Sequence, residues 1–375
     1  MSAHQIVDLF AGPGGLDVAA RWLGVPVTGV ELDPNACATR KAAGLDTKQD
    51  DVCELNPSHF PGATVLAGGP PCQTYTVAGD GDGRRALQWI LSSTKSMAKK
   101  SFEDVVAGIP GKKVDPRTLL VLQPLRWALM AMKKKPYDVI VLEQVQTVLP
   151  VWEAMAEVLH EKGYNVDFGI LRAEQFGVPQ TRRRAVLIAR LDGPARLPEA
   201  THRCYRKGTS REEGDQSLDP WVSMGDVLVE RAKPFEVISN YGTGGDPKAR
   251  GRRRHDQPAF TVTGKIRRNR VVTLGLPDSR FSHAEAGQLQ SFPMDYQWRG
   301  SDVAQQIGNA IPPVLAIHIL AAALGIGKDG LVNALRQAAS QCATMYPSER
   351  VLSKLGGGIP VVSRGAVMEE IFSPV

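Results

Sequence analysis

The chain has 375 residues, of which 43% are hydrophobic and 22% charged, a composition typical of one large globular domain with a smaller one. The first residues contain no positively charged region followed by a long apolar run, so we expect no secretory signal. No apolar stretch approaches the roughly 20 residues that cross a bilayer, so we also expect no membrane span.

The five cysteines, at positions 37, 53, 72, 204 and 342, are an odd number at irregular spacing. They form no Cys-x-x-Cys pair and no Cys/His cluster, which argues against a metal site or a disulfide framework. We therefore expect a reduced, cytoplasmic protein without a bound metal. At least one cysteine is expected to be free to act as a thiolate.

The net charge of +6 is concentrated in one region of the chain. Residues 246–270 contain nine Lys or Arg and two Asp, a local excess of +7, so the remainder is close to neutral. A concentrated positive field is typical of nucleic-acid-binding proteins, because phosphates attract lysine and arginine. A solvated loop is the alternative interpretation.

In the first 190 residues, short strands rich in Val and Ile alternate with helices, which predicts a doubly wound α/β sheet with helices on both faces. The strands are predicted at residues 4–10, 25–33, 63–69, 137–145, 164–171 and 184–191, with a short third strand before Asp50. The helices are predicted at residues 16–23, 34–43, 118–134 and 151–162. Sheets of this kind bind ligands at the carboxyl ends of their strands.

The pattern changes after residue 191. Residues 192–280 are rich in Gly, Pro, Arg and Ser, with short strands predicted at 227–229, 260–262 and 271–274. We interpret them as a smaller, irregular β-rich domain inserted into the first domain. The first domain then occupies residues 1–191 and resumes over 281–325, with helices at 288–292 and 311–324. A C-terminal extension, 326–375, contains one predicted helix at 331–339.

The first three strands end in residues suited to an adenosine-type ligand. The first runs into Asp8-Leu9-Phe10-Ala11-Gly12-Pro13-Gly14-Gly15, where glycines allow a sharp turn close to a ligand before a helix begins. The second ends in Glu31-Leu32-Asp33, and an acidic residue there holds the ribose hydroxyls in this class of sheet. Asp50-Asp51 follows the third strand.

The next strand ends carry reactive side chains. Strand 63–69 leads into Pro70-Pro71-Cys72-Gln73, where two prolines fix the backbone and present Cys72 at a rigid strand end, as a nucleophilic thiol requires. Glu143 closes an apolar strand and could serve as a proton donor. In Gln180-Thr181-Arg182-Arg183-Arg184, strand alternation directs Arg182 and Arg184 to one face.

Gly68-Gly69-Pro70-Pro71-Cys72-Gln73 resembles the catalytic motif of the DNA cytosine-5 methyltransferase family. The glycine-rich turn, the arginine-rich run at 180–184, Glu285 with the run at 289–293, and the run at 306–313 match further family motifs in the family's order. The resemblance implies a Rossmann-like, S-adenosylmethionine-dependent methyltransferase domain. It also implies that residues 192–280 are the target-recognition domain.

The resemblance also implies a mechanism. Cys72 adds to carbon 6 of a cytosine that is flipped out of duplex DNA, while Glu143 holds the ring N3 and the amine and supplies a proton. Arg182 contacts the cytosine carbonyl and Arg184 supports the site. Carbon 5 takes the methyl group of S-adenosylmethionine, and loss of its proton with β-elimination frees Cys72. The positions that match cofactor contacts are Phe10, Ala11, Gly12, Gly14, Glu31, Asp51, Pro70, Leu120 and Asn309.

Three features depart from the family pattern. Gln144 stands where the family has asparagine, and we assign it no role. Thr74-Tyr75-Thr76 replaces the usual aromatic-Ser pair. The segment 84–114 exceeds the common loop length, and its lysines either touch DNA or belong to a solvated excursion. Residues 74–114 are expected to include the loop that closes over the DNA.

The basic cluster falls within the region that matches the target-recognition domain, where arginines are the expected guanine readers. The expected DNA contacts are Arg252, Arg253, Arg254, Lys265, Arg267, Arg268 and Arg270. We expect a monomer that acts on double-stranded DNA in a bacterial or phage-infected cytoplasm, with a cognate restriction endonuclease as a partner.

Two alternatives stay open. One is a tRNA cytosine-5 methyltransferase on the same scaffold; a full-length inserted domain with its own arginine cluster favours DNA instead. The other is a catalytically silent DNA-binding relative, against which the intact Cys72, Glu143 and Arg182 argue.

Overall fold

A computed structural model describes residues 4–71, 81–108, 116–240, 250–342, 347–348 and 351. The strands are β1 Ile6–Leu9, β2 Val27–Glu31, β3 Thr47–Gln49, β4 Val65–Gly68, β5 Val139–Val145, β6 Asn165–Arg172, β7 Arg183–Arg190, β8 Phe235–Ile238, β9 Arg252–Arg254 and β10 Arg270–Thr273. The helices are α1 Gly15–Trp22, α2 Pro34–Ala42, α3 Gly81–Ser96, α4 Phe102–Ala107, α5 Gln123–Ala131, α6 Leu149–Glu161, α7 Met224–Val227, α8 His283–Leu289, α9 Val303–Asn309, α10 Pro313–Leu324 and α11 Lys328–Cys342.

The main sheet has seven strands in the order β3-β2-β1-β4-β5-β7-β6. The five strands from β3 to β5 are parallel, whereas β7 runs antiparallel between β5 and β6. Leu9 pairs with Gly68, and Gly68 pairs with Leu142, so the segments that follow these strands emerge at the same edge. This topology confirms the predicted α/β fold and places the chemically interesting strand ends side by side.

Helices cover both faces of this sheet, as the apolar strands require. On one face Trp127 of α5 and Trp152 of α6 are fully buried, together with residues of α3. On the other face Trp22 of α1 packs with α10 and α11. The tail helix predicted at 331–339 is therefore part of the core, in the longer helix α11.

A second, three-stranded antiparallel sheet has the order β10-β8-β9. Its core contains Phe235, Val237 and Val271, and residues of α8 and α9 pack into the same cluster. The prediction of a strand at 271–274 is confirmed by β10, but β8 and β9 were not predicted. The domain boundaries at 191, 280 and 325 stay a prediction.

Two predicted strands in this region are wrong. Val227 ends α7, because Ser223 and Asp226 form a capping box that starts a helical turn instead of a strand. Residues 260–262 form no strand, because the N–H of Val262 donates to the Oε1 atom of Gln180, at 2.9 Å, rather than to a ladder.

Several helices also differ from the prediction. The segment expected as one helix at 118–134 begins as a 3-10 helix, Pro116–Leu122, and continues as α5, with Pro124 in its first turn. The helix expected at 288–292 begins earlier, as α8, because Ser282 and Glu285 form a capping box. Most of the long segment 84–114 is helical, in α3 and α4, and its Lys95 pairs with Glu157 of α6 at 2.8 Å.

One stretch contradicts the expectation that no segment could span a membrane. Val303–Leu324, which covers α9 and α10, is long and apolar enough by length and composition, but 83% of its most apolar window is buried inside the protein. A segment buried to this extent is typical of a helix in the protein core. In agreement with this, α10 packs against α1 and β5.

Candidate active site

A cleft of about 1180 Å³ opens at the carboxyl edge of the parallel strands. It is lined by the glycine-rich turn after β1, the end of β5, the arginine-rich run before β7, and the run at the end of α9. Residues of the region after 191, such as Tyr205 and Thr263, complete its wall. The fold thus gathers motifs that lie up to 300 residues apart in sequence around one cavity.

The glycine-rich turn is held by the carboxylate at the end of β2. The N–H of Gly12 donates to Oε2 of Glu31 at 2.7 Å, while the N–H groups of Leu32 and Asp33 donate to Oε1 at 2.9 and 2.8 Å. Phe10 has a φ of 59°, a left-handed conformation that costs energy in a non-glycine residue and is common at ligand sites. A Cβ on Gly12 would meet no atom within 4 Å, so this turn faces open space.

A buried ion pair between α1 and α2 supports the glycine-rich turn on the side away from the cleft. This ion pair was not predicted from the sequence. Arg40 of α2 donates from both terminal nitrogens to Asp17 of α1, at 2.6 and 2.8 Å, and both side chains are fully buried. Arg40 also donates to Thr47 at 2.9 Å. Each of its three side-chain nitrogens is therefore hydrogen-bonded, which such a buried charge requires.

Gly14 belongs to this support and does not line the cleft. It has a φ of 101°, and a Cβ there would lie 2.1 Å from the side chain of Leu45. Beside it, the hydroxyl of Tyr296 donates to the carbonyl of Pro13 at 2.5 Å.

The predicted cofactor contacts therefore divide into two groups. Phe10, Ala11, Gly12, Glu31 and Asn309 line the cleft, whereas Gly14, Asp51, Pro70 and Leu120 do not. Asp51 accepts a hydrogen bond from the N–H of Cys53 at 2.8 Å. Leu120 is half-buried in the 3-10 helix that precedes α5.

Glu143 and Arg184 meet at the end of β5. The two strands are in register there, with Val145 opposite Arg184, and the Nε atom of Arg184 lies 2.7 Å from Oε1 of Glu143. Both side chains are largely buried but reach the cleft, with exposures of 13% and 11%. Burial lowers the pKa of Arg184, and the charge of Glu143 opposes this effect. The pair therefore places a carboxylate and a guanidinium together at the cavity wall.

Arg182, which we expected to contact the cytosine carbonyl, lines the cleft, and its Nη groups are bonded to the backbone. Its Nη1 donates to the carbonyl of Val262 at 2.9 Å, and its Nη2 donates to the carbonyls of Gly308 and Ala310 at 2.9 and 3.0 Å. Only 1% of this residue is exposed, and burial holds its pKa well below the ordinary value. Because its Nη groups bind backbone carbonyls, Arg182 joins three segments around the cleft.

Two buried glutamines extend this junction, and neither was assigned a role from the sequence. Gln180 donates to the carbonyl of Leu289 at 2.8 Å and to Oε1 of Gln290 at 2.6 Å. Gln290 in turn donates to the carbonyls of Ile307 and Ala310, at 2.5 and 3.2 Å. The matching motifs at 180–184, 289–293 and 306–313 are thus one hydrogen-bonded unit. Long-range contacts of this kind leave no local sequence pattern.

Gln144, to which we assigned no role, contacts the segment that carries the predicted nucleophile. Its Nε2 donates to the carbonyl of Pro70 at 2.6 Å, and its Oε1 accepts from the N–H of Val145 at 2.6 Å. A Cβ on Gly69 would lie 3.8 Å from Oε2 of Glu143. Cys72 itself lies outside the described residues, which end here at Pro71, a residue of the cleft wall.

Of the predicted DNA contacts, Arg253 alone lines the cleft and is half-buried, while the other six are exposed. Arg252 pairs with Glu236, Arg254 with Asp256, and Arg270 with Asp278. A separate cavity of about 370 Å³ on the smaller sheet is lined by Arg250, Arg252, Arg268, Arg270 and Arg280. We call this second cavity the arginine groove.

Across the part of the chain that the structure describes, no group of three or more His, Cys, Asp or Glu side chains could hold a metal ion.

Known proteins resemble this chain in sequence. A family model described as C-5 cytosine-specific DNA methylase matches residues 4–90 and 114–203. The Type II methyltransferase M1.HphI of Haemophilus parahaemolyticus is 28% identical over 363 residues, 85% of this chain and 86% of that protein. M.NgoFVII of Neisseria gonorrhoeae, also a Type II methyltransferase, is 28% identical over 370 residues, 87% of each chain.

Solved structures share the fold. The Dnmt2 methyltransferase of S. pombe superposes with a TM-score of 0.54 at 18% identity, over 86% of this chain and 98% of that one. The match of the family model covers the glycine-rich turn, the Pro-Pro-Cys segment, Glu143 and the arginine-rich run, in the order that the resemblance requires. This chain is therefore a member of the C-5 cytosine-specific DNA methylase family.

Proposed function

We propose that this protein methylates carbon 5 of a cytosine in duplex DNA, with Cys72 as the covalent nucleophile and S-adenosylmethionine as the methyl donor. The observation that carries the proposal is the Glu143–Arg184 pair beside the segment Gly69–Pro71, from which Cys72 follows directly. Carbon 6 of cytosine becomes electrophilic only when the ring is protonated or polarised. An acid and a fixed cation next to a thiol meet that need.

In this account Glu143 takes up a proton when the extruded cytosine binds, holds the N3 edge of the base and passes that proton to it. Arg184 keeps the carboxyl group in place through Nε and donates from Nη1 to the carbonyl of Arg183 at 2.8 Å, so its Nη2 group is the donor offered to the base carbonyl. This assignment exchanges the roles first expected for the two arginines, since the Nη donors of Arg182 are occupied by backbone carbonyls. Arg182 then acts as a positioning residue that holds the cleft walls together.

The cleft also suits the cofactor that the family implies. Glu31 retains acceptor capacity beside Gly12, as a ribose hydroxyl pair would need, and the open space at Gly12 leaves room for a ligand. The residues that would hold it are Phe10, Ala11, Gly12, Glu31 and Asn309. When bound, S-adenosylmethionine supplies an electrophilic methyl group. The glycine-rich turn and the strand ends would hold the cofactor beside the cytosine and would exclude water.

The DNA itself is proposed to bind across the cleft and the smaller sheet. The arginine groove presents five guanidinium groups, two of which are paired with the carboxylates of Glu236 and Asp278. Such a surface suits phosphates, whose binding releases counterions. Residues 192–280 serve as the target-recognition domain in this proposal, within the boundaries predicted from the sequence.

The biological setting is inferred from the relatives. M1.HphI and M.NgoFVII are named Type II methyltransferases, so we infer a restriction–modification role in the cytoplasm of a bacterial or phage-infected cell, beside a cognate endonuclease. We further propose that the enzyme acts as a monomer.

Bisulfite sequencing of DNA from a host that expresses the protein tests the proposed function. We expect one sequence to gain 5-methylcytosine, and we expect the Cys72→Ala protein to leave it unmethylated. Purified protein is also incubated with labelled S-adenosylmethionine and either the duplex or tRNA. Label in tRNA alone would favour the RNA-modifying alternative, and label in neither, with DNA binding retained, would favour a silent relative.

A further inference from the structure

The three arginines of β9 point in different directions, although they are adjacent in sequence. Arg252 and Arg254 are exposed and form ion pairs with Glu236 and Asp256. Arg253 is in register with Val237 and, through it, with Val271, both of which are buried. Side chains on one strand alternate between its two faces, so Arg253 lies on the face opposite to Arg252 and Arg254. On that face it lines the catalytic cleft.

Aromatic side chains hold the Arg253 guanidinium in the cleft. Its central carbon lies 4.0 Å from the ring centroid of Tyr205 and 4.9 Å from that of Phe260. These cation–π contacts hold the side chain in place. The Nη1 atom is buried and has no hydrogen-bond partner among the residues that the structure describes.

A buried cationic donor without a partner is costly, so its presence at a substrate cleft indicates a ligand that supplies the acceptor. Arg172 and Lys207 line the same cleft and add positive charge, while Glu174 supplies one carboxylate that interacts with Arg253 and Arg172. With three cations to one carboxylate, this part of the cleft favours an acceptor that carries negative charge. On a nucleic acid this acceptor is a phosphate oxygen, which a guanidinium binds strongly.

We propose that Arg253 binds a backbone phosphate beside the extruded cytosine and thereby holds the flipped nucleotide in the cleft. This inference rests on the proposed function. A paired guanine, the other strong acceptor for arginine, keeps its edge in the groove of the duplex. The cleft that holds Glu143 and Arg184 receives the nucleotide that has left the stack, so the backbone of that nucleotide is what Arg253 meets.

The test uses short duplexes that carry the methylated sequence, with one phosphate at a time near the target cytosine replaced by an uncharged methylphosphonate. In the wild-type protein, one such replacement is expected to lower kcat/KM about tenfold to hundredfold, the size of a lost charge-assisted hydrogen bond. Arg253→Met keeps the apolar stem and is expected to show the same loss on the normal duplex. It should then show no further loss with that methylphosphonate.

Arg252→Met is the matched control, because it removes the neighbouring arginine on the outer face; this variant should stay fully sensitive to the same replacement. Arg253→Lys retains a charge and should recover part of the activity and of the sensitivity. Thermal unfolding of all variants separates a loss of binding from a loss of folding.

Two results would overturn the proposal. One is that the loss caused by Arg253→Met multiplies with the loss caused by the methylphosphonate at every position tested. No phosphate would then depend on Arg253. The other is an Arg253→Met variant that shows no further loss with 7-deazaguanine, to which the wild-type protein is sensitive, but still loses activity with every methylphosphonate; this would make Arg253 a reader of a base. Anisotropy titrations of the same duplexes report on Arg253 independently of methyl transfer. Activity of the wild-type protein on the unmodified duplex reports separately on the proposed function.

Discussion

Glu143 and Arg184 form an ion pair across two antiparallel strands, with Nε and Oε1 2.7 Å apart, at the wall of the cleft. The carboxylate comes from the end of β5, and the guanidinium comes from the second residue of β7. Because β7 lies between β5 and β6, the arginine-rich run reaches the same edge of the sheet as the parallel strand ends.

Replacing Glu143 by Gln should lower kcat about 10²- to 10⁴-fold, the usual contribution of a positioned acid, because the amide cannot deliver a proton to the cytosine ring. Binding of S-adenosylmethionine should change little. The measurement is single-turnover methyl transfer, with isothermal titration for the cofactor. Glu157→Gln, in an exposed ion pair on α6, is the control and should retain full activity. A Glu143→Gln protein with unchanged kcat would contradict the assignment.

The two arginines should respond differently to lysine. Arg182→Lys leaves backbone carbonyls of a buried junction without donors, so the free energy of unfolding should fall by about 2–4 kcal/mol. Arg184→Lys should cost less stability but should lower kcat at least tenfold, since a single ammonium cannot replace the fork of donors. Denaturant unfolding and methyl transfer, measured on both variants, check this difference. Equal stability losses would show that Arg184 is also structural.

Gln144 should affect chemistry rather than cofactor binding. Removing the amide in Gln144→Ala frees the carbonyl of Pro70, so the segment that leads to Cys72 is held less firmly. We expect kcat to fall about tenfold while the Kd of S-adenosylmethionine stays unchanged. Gln144→Asn retains the amide on a shorter side chain and should recover part of the loss. Gln144→Leu activity equal to wild type would show that this contact is dispensable.

Stability should decrease in mild acid because of two buried histidines. Burial lowers the pKa of His202 to about 4 and that of His318 to about 3, from 6.5 in the unfolded chain. Below pH 6.5 the unfolded chain binds protons that the folded protein cannot. The free energy of unfolding should therefore fall by up to about 1.4 kcal/mol per pH unit for each histidine, down to about pH 4.

This decrease is checked by denaturant unfolding between pH 7.5 and 4.5. The double variant His202→Gln/His318→Leu should show a shallower slope than wild type, whereas His59→Gln, at an exposed position, should keep it. Burial raises the pKa of Asp8, whose contribution therefore has the opposite sign, but it is common to all these proteins. Parallel slopes for wild type and the double variant would contradict the assignment.

The arrangement of strand ends could be predicted from the sequence because it depends on local patterns. Apolar strands followed by Gly, Glu or Pro-Pro imply a parallel sheet, and one edge of such a sheet gathers the residues at the carboxyl end of each strand. Glu31, Glu143 and the Pro70–Pro71 segment lie where that rule puts them. The helix starts at Ser223 and Ser282 were also visible as capping boxes, although the prediction overlooked both.

Other features depend on partners far away in the chain. Arg40 of α2 is hydrogen-bonded to Asp17 of α1, and Arg182 donates to carbonyls about 80 and 126 residues away. Neither role can be predicted from a local sequence pattern. Strand β9 consists of three arginines, and arginine is not among the β-branched and aromatic residues that are enriched in strands. It forms because β8 offers an edge with which it can pair.

The most direct test of the account is covalent trapping on duplex DNA in which the target cytosine is replaced by 5-fluorocytosine. Fluorine at carbon 5 cannot leave as a proton does, so β-elimination stops and the enzyme stays bonded to carbon 6 after methyl transfer. We predict a denaturation-resistant complex that needs S-adenosylmethionine, with the DNA mapped to Cys72 by peptide mass spectrometry and with no complex from Cys72→Ala. An adduct formed by Cys72→Ala, or a wild-type protein that methylates the normal duplex but never traps on this one, would contradict it.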